Sequence, residues 1–301
     1  MPFAITNHLT DSPQRQFQCS AGTVPGRRHT GNGNLLGGKN NQDAFGIYKT
    51  NRFLLATVHD GCSSGSHSEI GAWLAPKLLA GAFEKAFAKT DTNEPIHLLA
   101  LAQQYFLDAM ENTIRLLLPA SNQQEFQQTT ADYFLFTTVG ALLTADYCLL
   151  FACGDGLYCL NGRLVELGPY PGNAPPYSAY SLLPQHQVKA ETLPVANLQA
   201  LELLGLSEVA SLVLGTDGAR DLLASADKKL PGKRTNVGPL SQIWTEDRFF
   251  DESQSNLLTP WLRQINSEVT KISQTASGAE LKRHYGLLED DTTLVVLRRS
   301  A

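Results

Sequence analysis

Residues 53–71, FLLATVHDGCSSGSHSEIG, join an apolar run to a small-residue turn and then to the start of a helix. The run from Phe53 to Val58 has the length and composition of a buried β-strand. It stops at Asp60 and Gly61, where a glycine lets another group approach the backbone closely. Asp-Gly is also a strong turn dipeptide, so a plain turn is the alternative to a functional site. The stretch predicts an acidic side chain at a strand end, directly before a helix.

Two long helices are predicted after this strand. Ser66 and Glu69 have the spacing of a capping box, and apolar residues at helical spacing continue the first helix over about residues 67–89. Pro76 lies inside this pattern, which predicts a kink or a later start of the helix. The same spacing of apolar residues predicts a second helix over about residues 96–118.

Acidic residues recur at the ends of other predicted strands. The chain has three Asp-Gly pairs, and each closes an apolar run: Asp60-Gly61, Asp155-Gly156 and Asp217-Gly218. Asp43 starts a strand in NNQDAFGIY, and Asp290 and Asp291 start the last strand in LEDDTTLVVLRR. For Asp155, a turn in an antiparallel meander is a serious alternative. These acids are far apart in sequence, and we expect them to meet at one end of a sheet and bind hard cations.

The order of the remaining elements indicates an α+β fold. Residues 131–168 predict an antiparallel meander with a hairpin at Asn161-Gly162. Short strands follow in AETL and ASLVLGTDG, helices are predicted near 239–249 and 254–273, and TTLVVLRR forms the last strand. Hairpins dominate, and strands do not alternate regularly with helices. This order argues against a doubly wound parallel sheet and for antiparallel sheets with helices packed outside them.

A single domain is expected over residues 1–301. No linker rich in proline, glycine or serine divides the chain, and the candidate acids span positions 43–290, so both ends of the chain feed one site. Within this domain, residues 1–30 form a turn-rich N-terminal segment. Residues 225–238 are polar, and residues 225–260 are expected to be an insertion or flap.

The composition is that of a globular protein with a sizeable core, since 43% of residues are hydrophobic and 18% charged. The net charge is −5, and no basic block suits nucleic acid or an anionic membrane. The N-terminus lacks the features of a signal peptide, and no apolar stretch approaches the length of a membrane span. The five cysteines lack zinc-ligand spacing and fit buried thiols, so a cytoplasmic location is expected.

Carboxylates without neighbouring histidine or cysteine ligands suit Mg²⁺ or Mn²⁺ rather than zinc. Two such ions a few ångströms apart share a bridging water and lower its pKa. The resulting hydroxide can attack phosphorus in line while the ions neutralise the phosphoryl oxygens. No Gly-x-Ser-x-Gly elbow occurs, and no cysteine lies in an evident catalytic setting. The residues therefore point to a phosphomonoester hydrolase that needs no covalent nucleophile.

Six sequence blocks resemble those of the PPM-type metal-dependent protein phosphatases, the 2C class, in their bacterial form. In the family's order, the blocks are NQDAF at 41–45, VHDG at 58–61, FTTVGALL at 136–143, GDG at 154–156, GTDG at 215–218 and DDTTLVVL at 290–297. The resemblance implies a four-layer α-β-β-α sandwich, in which helix pairs flank two antiparallel β-sheets. It also implies that a centre of two Mn²⁺ or Mg²⁺ ions hydrolyses phosphoserine or phosphothreonine in proteins that a Ser/Thr kinase has phosphorylated.

Position by position, the resemblance implies that four aspartates hold the ions and carry catalysis: Asp43, Asp60, Asp217 and Asp290. Among these, Asp60 bridges the metal pair, and Gly61 contributes its backbone carbonyl as a further ligand. Asp217 and Asp290 complete the shell of one ion. Asp155 falls where the family has an acid linked to a third, weaker metal ion.

Three positions depart from the family's pattern. Gly38, with Lys39 beside it, stands where many members have an arginine that holds the substrate phosphate. Gln42 replaces the common glutamate before Asp43, and Gly156-Leu157 replaces the usual serine-arginine. Phosphate binding needs a cation or a cluster of donors. The candidate substitutes are Lys39, Arg28 and His29, together with Arg27.

Other interpretations stay open. Arg27, Arg28 and His29 are alternatively solvated loop residues without a role in binding. The missing arginine favours a catalytically weak or inactive pseudophosphatase, which would bind metal and recognise a partner without turnover. A third alternative is a phosphatase for a small phosphorylated molecule on the same scaffold.

Overall fold

The structure, a computed structural model, describes residues 13–30, 38–90, 94–118, 122–184, 196–251, 256–275 and 278–300. Within these residues the strands are β1 (Phe17–Val24), β2 (Asp43–Lys49), β3 (Leu54–Gly61), β4 (Phe136–Leu143), β5 (Tyr147–Cys153), β6 (Gly156–Leu160), β7 (Arg163–Leu167), β8 (Gln199–Gly205), β9 (Ser211–Gly215), β10 (Val269–Thr275), β11 (Gly278–His284) and β12 (Thr292–Arg299). The helices are α1 (Pro13–Gln16), α2 (Arg27–Thr30), α3 (Ser68–Lys89), α4 (Pro95–Leu117), α5 (Gln123–Tyr133), α6 (Ala219–Leu223), α7 (Gln242–Thr245) and α8 (Leu258–Asn266).

Ten of these strands form two five-stranded antiparallel sheets. The first sheet has the order β2-β3-β4-β5-β8, and the second has the order β1-β12-β9-β6-β7. In the second sheet, Phe17 on β1 lies opposite Arg299 on β12, so strands from the two ends of the described chain pair with each other. β10 and β11 pair with one another in a separate two-stranded hairpin.

The two sheets pack face to face between layers of helices. Leu54 and Val58 on β3 lie in the core between the sheets, together with Leu214 and Val295 of the second sheet. Leu55 lies on the other face of β3, in a core that the long helices α3 and α4 cover. A third core packs α6, α7 and α8 onto the outer face of the second sheet. The expected α+β fold with four layers is confirmed, although the helices over the second sheet are short.

Both long helices and the predicted hairpin are confirmed. Helix α3 begins at Ser68 and contains Pro76, so a delayed start at the proline is wrong. The Pro76 ring occupies the space that a side chain at Gly46 would need, which packs α3 closely on β2. Asn161 and Gly162 both have positive φ between β6 and β7, as an Asn-Gly hairpin turn requires.

The predicted capping box is wrong. The residue before α3 is His67, and no side chain caps the helix there. Ser66 instead donates a hydrogen bond to Asp132 at 3.3 Å. Ser68, the first helical residue, donates to the Cys62 carbonyl at 2.8 Å, which ties the helix start to the Asp-Gly turn.

Other predictions differ from the structure in the helices. The helix predicted over 254–273 ends at Asn266, because β-branched residues at 269–275 favour β10, which pairs with β11. Near 239–249, only Gln242–Thr245 is α-helical. Residues 131–133 end α5 rather than starting the meander.

The N-terminal segment contains a strand as well as turns, because β1 pairs along its whole length with β12. The strand predicted in AETL, residues 190–193, lies outside the described residues. None of the helices that the structure describes is long and apolar enough to cross a membrane.

Candidate metal centre

Two of the predicted acids lie on neighbouring strands. Asp43 begins β2 and lies directly opposite Asp60 on β3. Phe45, two residues after Asp43, and Val58, two residues before Asp60, pack in the core between the sheets. Because side chains alternate along a strand, both aspartates lie on this inner face. The β2–β3 pair therefore delivers two carboxyl groups to one end of the space between the sheets.

The Asp43 carboxyl group is buried, and only one of its oxygens is bonded. Its Oδ2 accepts a 2.6 Å hydrogen bond from Thr216 Oγ1. That hydroxyl in turn accepts the Thr293 N–H at 3.1 Å, which fixes its position. Asp43 Oδ1 is buried and has no hydrogen-bond partner among the described residues. Leaving such an oxygen unpaired costs free energy, so it is suited to bind a cation.

Close backbone packing brings the end of β9 to the start of β12. A side chain at Gly218 would begin 1.9 Å from the Asp291 carbonyl oxygen, so only glycine lets the two segments touch. Thr292 Oγ1 also donates to the Gly218 carbonyl at 3.2 Å. Asp217 and Asp290, which immediately precede Gly218 and Asp291, are thereby brought together.

Burial, and after it the repulsion among the acids, raises the pKa values of the clustered aspartates. Burial raises the pKa of Asp60 well above its ordinary value, and four other aspartates raise it further: Asp43, Asp217, Asp155 and Asp290. Burial, followed by the charge of Asp290, raises the pKa of Asp217. Burial and the charge of Asp217 raise the pKa of Asp155 to about 6. The structure therefore brings the five aspartates that the family resemblance assigned to metal ions into one electrostatic cluster.

Gly61 is packed too tightly to carry a side chain. Its N–H donates to the Gln42 carbonyl at 3.1 Å. A Cβ atom at Gly61 would lie 2.9 Å from both this carbonyl oxygen and Ser68 Oγ. Gln42, which stands in the family's glutamate position, donates from its side chain to Ser68 Oγ at 2.7 Å. These contacts join the start of β2, the end of β3 and helix α3.

Asp291 organises the loops around the cluster, whereas the sequence grouped it with Asp290 as a candidate cation ligand and the family resemblance gave a role to Asp290 alone. Asp291 Oδ1 accepts the Gly26 N–H at 2.6 Å, and Oδ2 accepts the Gln42 N–H at 2.6 Å. His29 Nδ1 lies 2.8 Å from Asp291 Oδ1. The sequence carried one signal for this role, namely the second aspartate of the Asp-Asp pair before the last strand.

Asp221 on α6 is a second residue that sequence reasoning missed. Its Oδ2 accepts the N–H groups of Glu289 at 2.6 Å and Asp290 at 3.2 Å. Asp290 Oδ1 then accepts the Asp291 N–H at 2.9 Å. Asp221 therefore fixes the turn that presents Asp290.

The predicted phosphate-binding residues have different partners. Arg28 and Arg27 both form ion pairs with Glu289, the latter at 2.9 Å. His29 pairs with Asp291, and this hydrogen bond raises the pKa of His29. Lys39 Nζ donates to the Ser63 carbonyl at 2.5 Å, in the turn after Gly61. Of the three predicted residues, only Lys39 has a neutral partner in these contacts.

The donor set fits hard divalent cations. The clustered side chains offer carboxylate oxygens, which Mg²⁺ and Mn²⁺ prefer, and their pKa values are raised as expected for acids that lack a neutralising partner. His29, Asp290 and Asp291 form a second group, in which one oxygen or nitrogen atom of each side chain lies within 4.8 Å of the other two. Asp291 and His29 in that group already bond to each other at 2.8 Å.

Comparisons with known proteins give one family match and several similar solved structures. A family model described as protein phosphatase 2C matches residues 30–263. No curated protein matches significantly. Among solved structures, Stp1 of Staphylococcus aureus is 14% identical with a TM-score of 0.46, over 94% of this chain and 95% of the other. A phosphatase 2C of Toxoplasma gondii is 15% identical with a TM-score of 0.48, over 94% and 95%. PppA of Pseudomonas aeruginosa is 13% identical with a TM-score of 0.47, over 94% and 98%.

The family model covers most of the chain, including Asp43 on β2, Asp60 on β3 and Asp217 just after β9. The chain belongs to the protein phosphatase 2C family.

Proposed function

We propose that this chain is a metal-dependent phosphatase that hydrolyses phosphoserine or phosphothreonine in proteins. The observation that carries the proposal is the cluster of buried and half-buried aspartates, with Asp43 Oδ1 unpaired among the described residues. A phosphate dianion would be repelled by these carboxylates. Bound cations remove that repulsion, so turnover should depend on metal.

The aspartates would hold two Mn²⁺ or Mg²⁺ ions, with side-chain ligands Asp43, Asp60, Asp217 and Asp290. The backbone carbonyl of Gly61 would add a ligand, and Asp155 would serve a third, weaker ion. When bound, the ions supply charge neutralisation at the phosphoryl group and lower the pKa of a water molecule.

Neighbouring residues would position these ligands. Thr216 orients the Asp43 carboxyl group by its 2.6 Å hydrogen bond. Asp221 fixes the backbone at Asp290, and Asp291 holds the segments that begin at Gly26 and Gln42. Lys39 Nζ would exchange its bond to the Ser63 carbonyl for a phosphate oxygen, because a charge-assisted bond is the stronger of the two.

The physiological setting is part of the same proposal. We infer a single domain over residues 1–301, with a flap in 225–260, and the pairing of β1 with β12 supports it. All five cysteines are free thiols, which supports a reducing cytoplasm. The partner would be a phosphoprotein made by a Ser/Thr kinase, and the net charge of −5 favours neither nucleic acid nor an anionic membrane.

The test is hydrolysis of an aryl phosphate and a phosphothreonine peptide with Mn²⁺, with Mg²⁺ and with EDTA. Turnover should require metal, and Asp217→Asn should lower kcat by at least about a hundredfold. Asp108→Asn is the matched control, because Asp108 is an exposed acid on α4. Metal-independent turnover, or equal activity of Asp217→Asn and the parent, would contradict the proposal.

A second candidate is a pseudophosphatase that binds metal and a partner without turnover. It is favoured by Gly38 in place of an arginine, and by the ion pairs that occupy Arg28 and His29. Metal binding detected by calorimetry, without hydrolysis of any phosphoester, would support this candidate over the first.

A further inference from the structure

Thr23 and Thr293 form a pair of hydroxyl groups beside the metal centre. They lie directly opposite each other on β1 and β12, and their hydroxyl oxygens are 2.6 Å apart. Thr293 is fully buried, and Thr23 is half-buried. Either hydroxyl can donate in such a pair, so the groups around them decide the direction of the bond.

The Asn41 side chain lies at one end of this pair. Its Oδ1 accepts the Asp43 N–H at 3.1 Å, and a backbone N–H can only donate, so the orientation of the amide is fixed. The amide nitrogen therefore points to β1, where Nδ2 donates to Thr23 Oγ1 at 2.7 Å. Thr23 Oγ1 accepts this bond and keeps its own proton for another acceptor.

The Asp43 carboxyl group lies at the other end. Burial and the charge of Asp291 raise the pKa of Asp43, whereas hydrogen bonds from Thr216 and Thr293 lower it. A hydrogen bond to a carboxylate is stronger than one between two hydroxyls, so the Thr293 proton points to Asp43 rather than to Thr23. Thr23 then donates to Thr293. The donors therefore run in one direction, from the amide through both hydroxyls to the carboxylate.

Backbone contacts hold both threonines in place. The Thr293 N–H donates to Thr216 Oγ1 at 3.1 Å, and the Thr216 N–H donates to the Thr293 carbonyl at 3.1 Å. The Thr23 N–H donates to Thr259 Oγ1 at 3.2 Å, near the start of α8. A side chain at Gly22 would begin 2.4 Å from the Thr259 nitrogen, so glycine lets α8 and β1 touch. Both hydroxyls are thus fixed by elements other than β2.

We propose that Asn41, Thr23 and Thr293 are positioning residues for the carboxyl group that begins β2. They hold Asp43 in the orientation that leaves its Oδ1 for a metal ion. This inference rests on the proposed metal-dependent function. The three residues act through Asp43 and do not themselves bind the ion. Loss of a donor lets the carboxyl group turn away from this orientation, so metal binding weakens.

Isothermal titration of the metal-free protein with Mn²⁺, without substrate, tests the inference. Thr293→Val removes the direct donor and should raise the Kd for Mn²⁺ about tenfold. Thr23→Val removes a donor one step away and should raise the Kd about threefold, whereas Thr23→Ser keeps the hydroxyl and should bind within about twofold of the parent. Thr130→Val is the matched control, because Thr130 is fully buried and its hydroxyl donates to the Phe126 carbonyl at 2.8 Å within α5.

Urea unfolding in EDTA separates positioning from stability. Each valine variant loses one hydroxyl and should lose some stability, but only Thr293→Val and Thr23→Val should lose affinity for Mn²⁺. At saturating Mn²⁺, Thr23→Val should keep kcat on an aryl phosphate within about twofold of the parent. Equal Kd values for Thr293→Val and Thr130→Val overturn the inference, as does a Thr23→Ser protein that binds Mn²⁺ as weakly as Thr23→Val. Weakened Mn²⁺ binding in both variants of a parent that hydrolyses no phosphoester overturns the proposed function, while the positioning role stands.

Discussion

Asp43 and Asp60 lie directly opposite each other on β2 and β3, and the charge of Asp43 raises the pKa of Asp60. Burial is the larger cause for both carboxyl groups. Two buried carboxylates repel each other when both are ionised, so the folded state is destabilised at neutral pH until a cation neutralises them. The pair therefore links metal binding to the free energy of unfolding.

Asp43→Asn should stabilise the metal-free protein at about pH 8 by about 1–2 kcal/mol, because it removes one of two repelling charges. The sign follows from the raised pKa values. Between the ordinary and the raised pKa the folded state binds more protons than the unfolded state, so stability falls as pH rises through this range. An asparagine oxygen can still accept the Thr216 hydrogen bond. Urea unfolding in EDTA measures the effect.

The same variant should lose most of the stabilisation that Mn²⁺ gives to the parent, since it removes a proposed ligand. Asp108→Asn, which changes an exposed acid on α4, is the control for loss of a carboxylate. A metal-free Asp43→Asn protein that is less stable than the parent at about pH 8 would show that repulsion does not dominate at this position.

Lys39→Met should raise KM for a phosphopeptide about tenfold, with a smaller change in kcat. Arg28 and His29 are paired with acidic side chains, whereas the Lys39 ammonium contacts a neutral carbonyl and keeps its charge for a phosphate oxygen. Arg28→Met should change KM less than about twofold, since its charge is paired with Glu289 on the surface. Lys39→Arg should restore much of the affinity. Steady-state kinetics at saturating Mn²⁺ measure all three, and equal effects of Lys39→Met and Arg28→Met would contradict this ranking.

The layers of the fold could be predicted where the apolar pattern is local. The strand ending at Asp60 and helix α4 follow from such runs, and the Asn161-Gly162 turn follows from its own backbone preference. β1 could not be predicted in this way. Its sequence, FQCSAGTV, is rich in small residues, and it becomes a strand by pairing with β12, at the far end of the chain.

The candidate site shows the same limit. The clustering of five aspartates could be predicted because each stands at the end or start of an apolar run. The role of Asp291 could not, because its partners Gly26 and Gln42 lie 265 and 249 positions away in the sequence. The ion pairs of Arg28 and His29 are equally distant contacts, so the sequence could not rank them against Lys39.

His59 should make the protein sensitive to acid. It is fully buried, lies between Thr57 and Thr138 hydroxyls at 2.9 and 3.0 Å, and burial lowers its pKa to about 3. Below about pH 6.5 the unfolded chain binds a proton that the folded chain excludes. Stability should therefore fall by about 1.4 kcal/mol per pH unit from this residue as pH drops toward 4.

His59→Gln should flatten this slope, even though it costs stability near pH 7 by leaving a threonine hydroxyl poorly paired. His97→Gln, at an exposed position on α4, is the control for loss of a histidine. Urea unfolding between about pH 4 and pH 7 measures the slope. An unchanged slope in His59→Gln would assign the acid sensitivity to other groups.

Gly218→Ala should damage both stability and activity. The added Cβ would begin 1.9 Å from the Asp291 carbonyl oxygen, and the two nearest atoms belong to the Asp291 backbone, which cannot move aside without separating β9 from β12. The φ of Gly218 is −58°, so an alanine has no backbone strain here and the clash alone is tested. We expect a loss of about 2–4 kcal/mol in unfolding free energy and a drop in kcat, because Asp217 and Asp290 move apart.

Gly81→Ala is the matched control, since a Cβ there meets nothing within 4 Å and the position lies inside α3. That control should gain about 0.5–1 kcal/mol and keep full activity. Similar stabilities for Gly218→Ala and the parent would mean that the two segments do not touch as described.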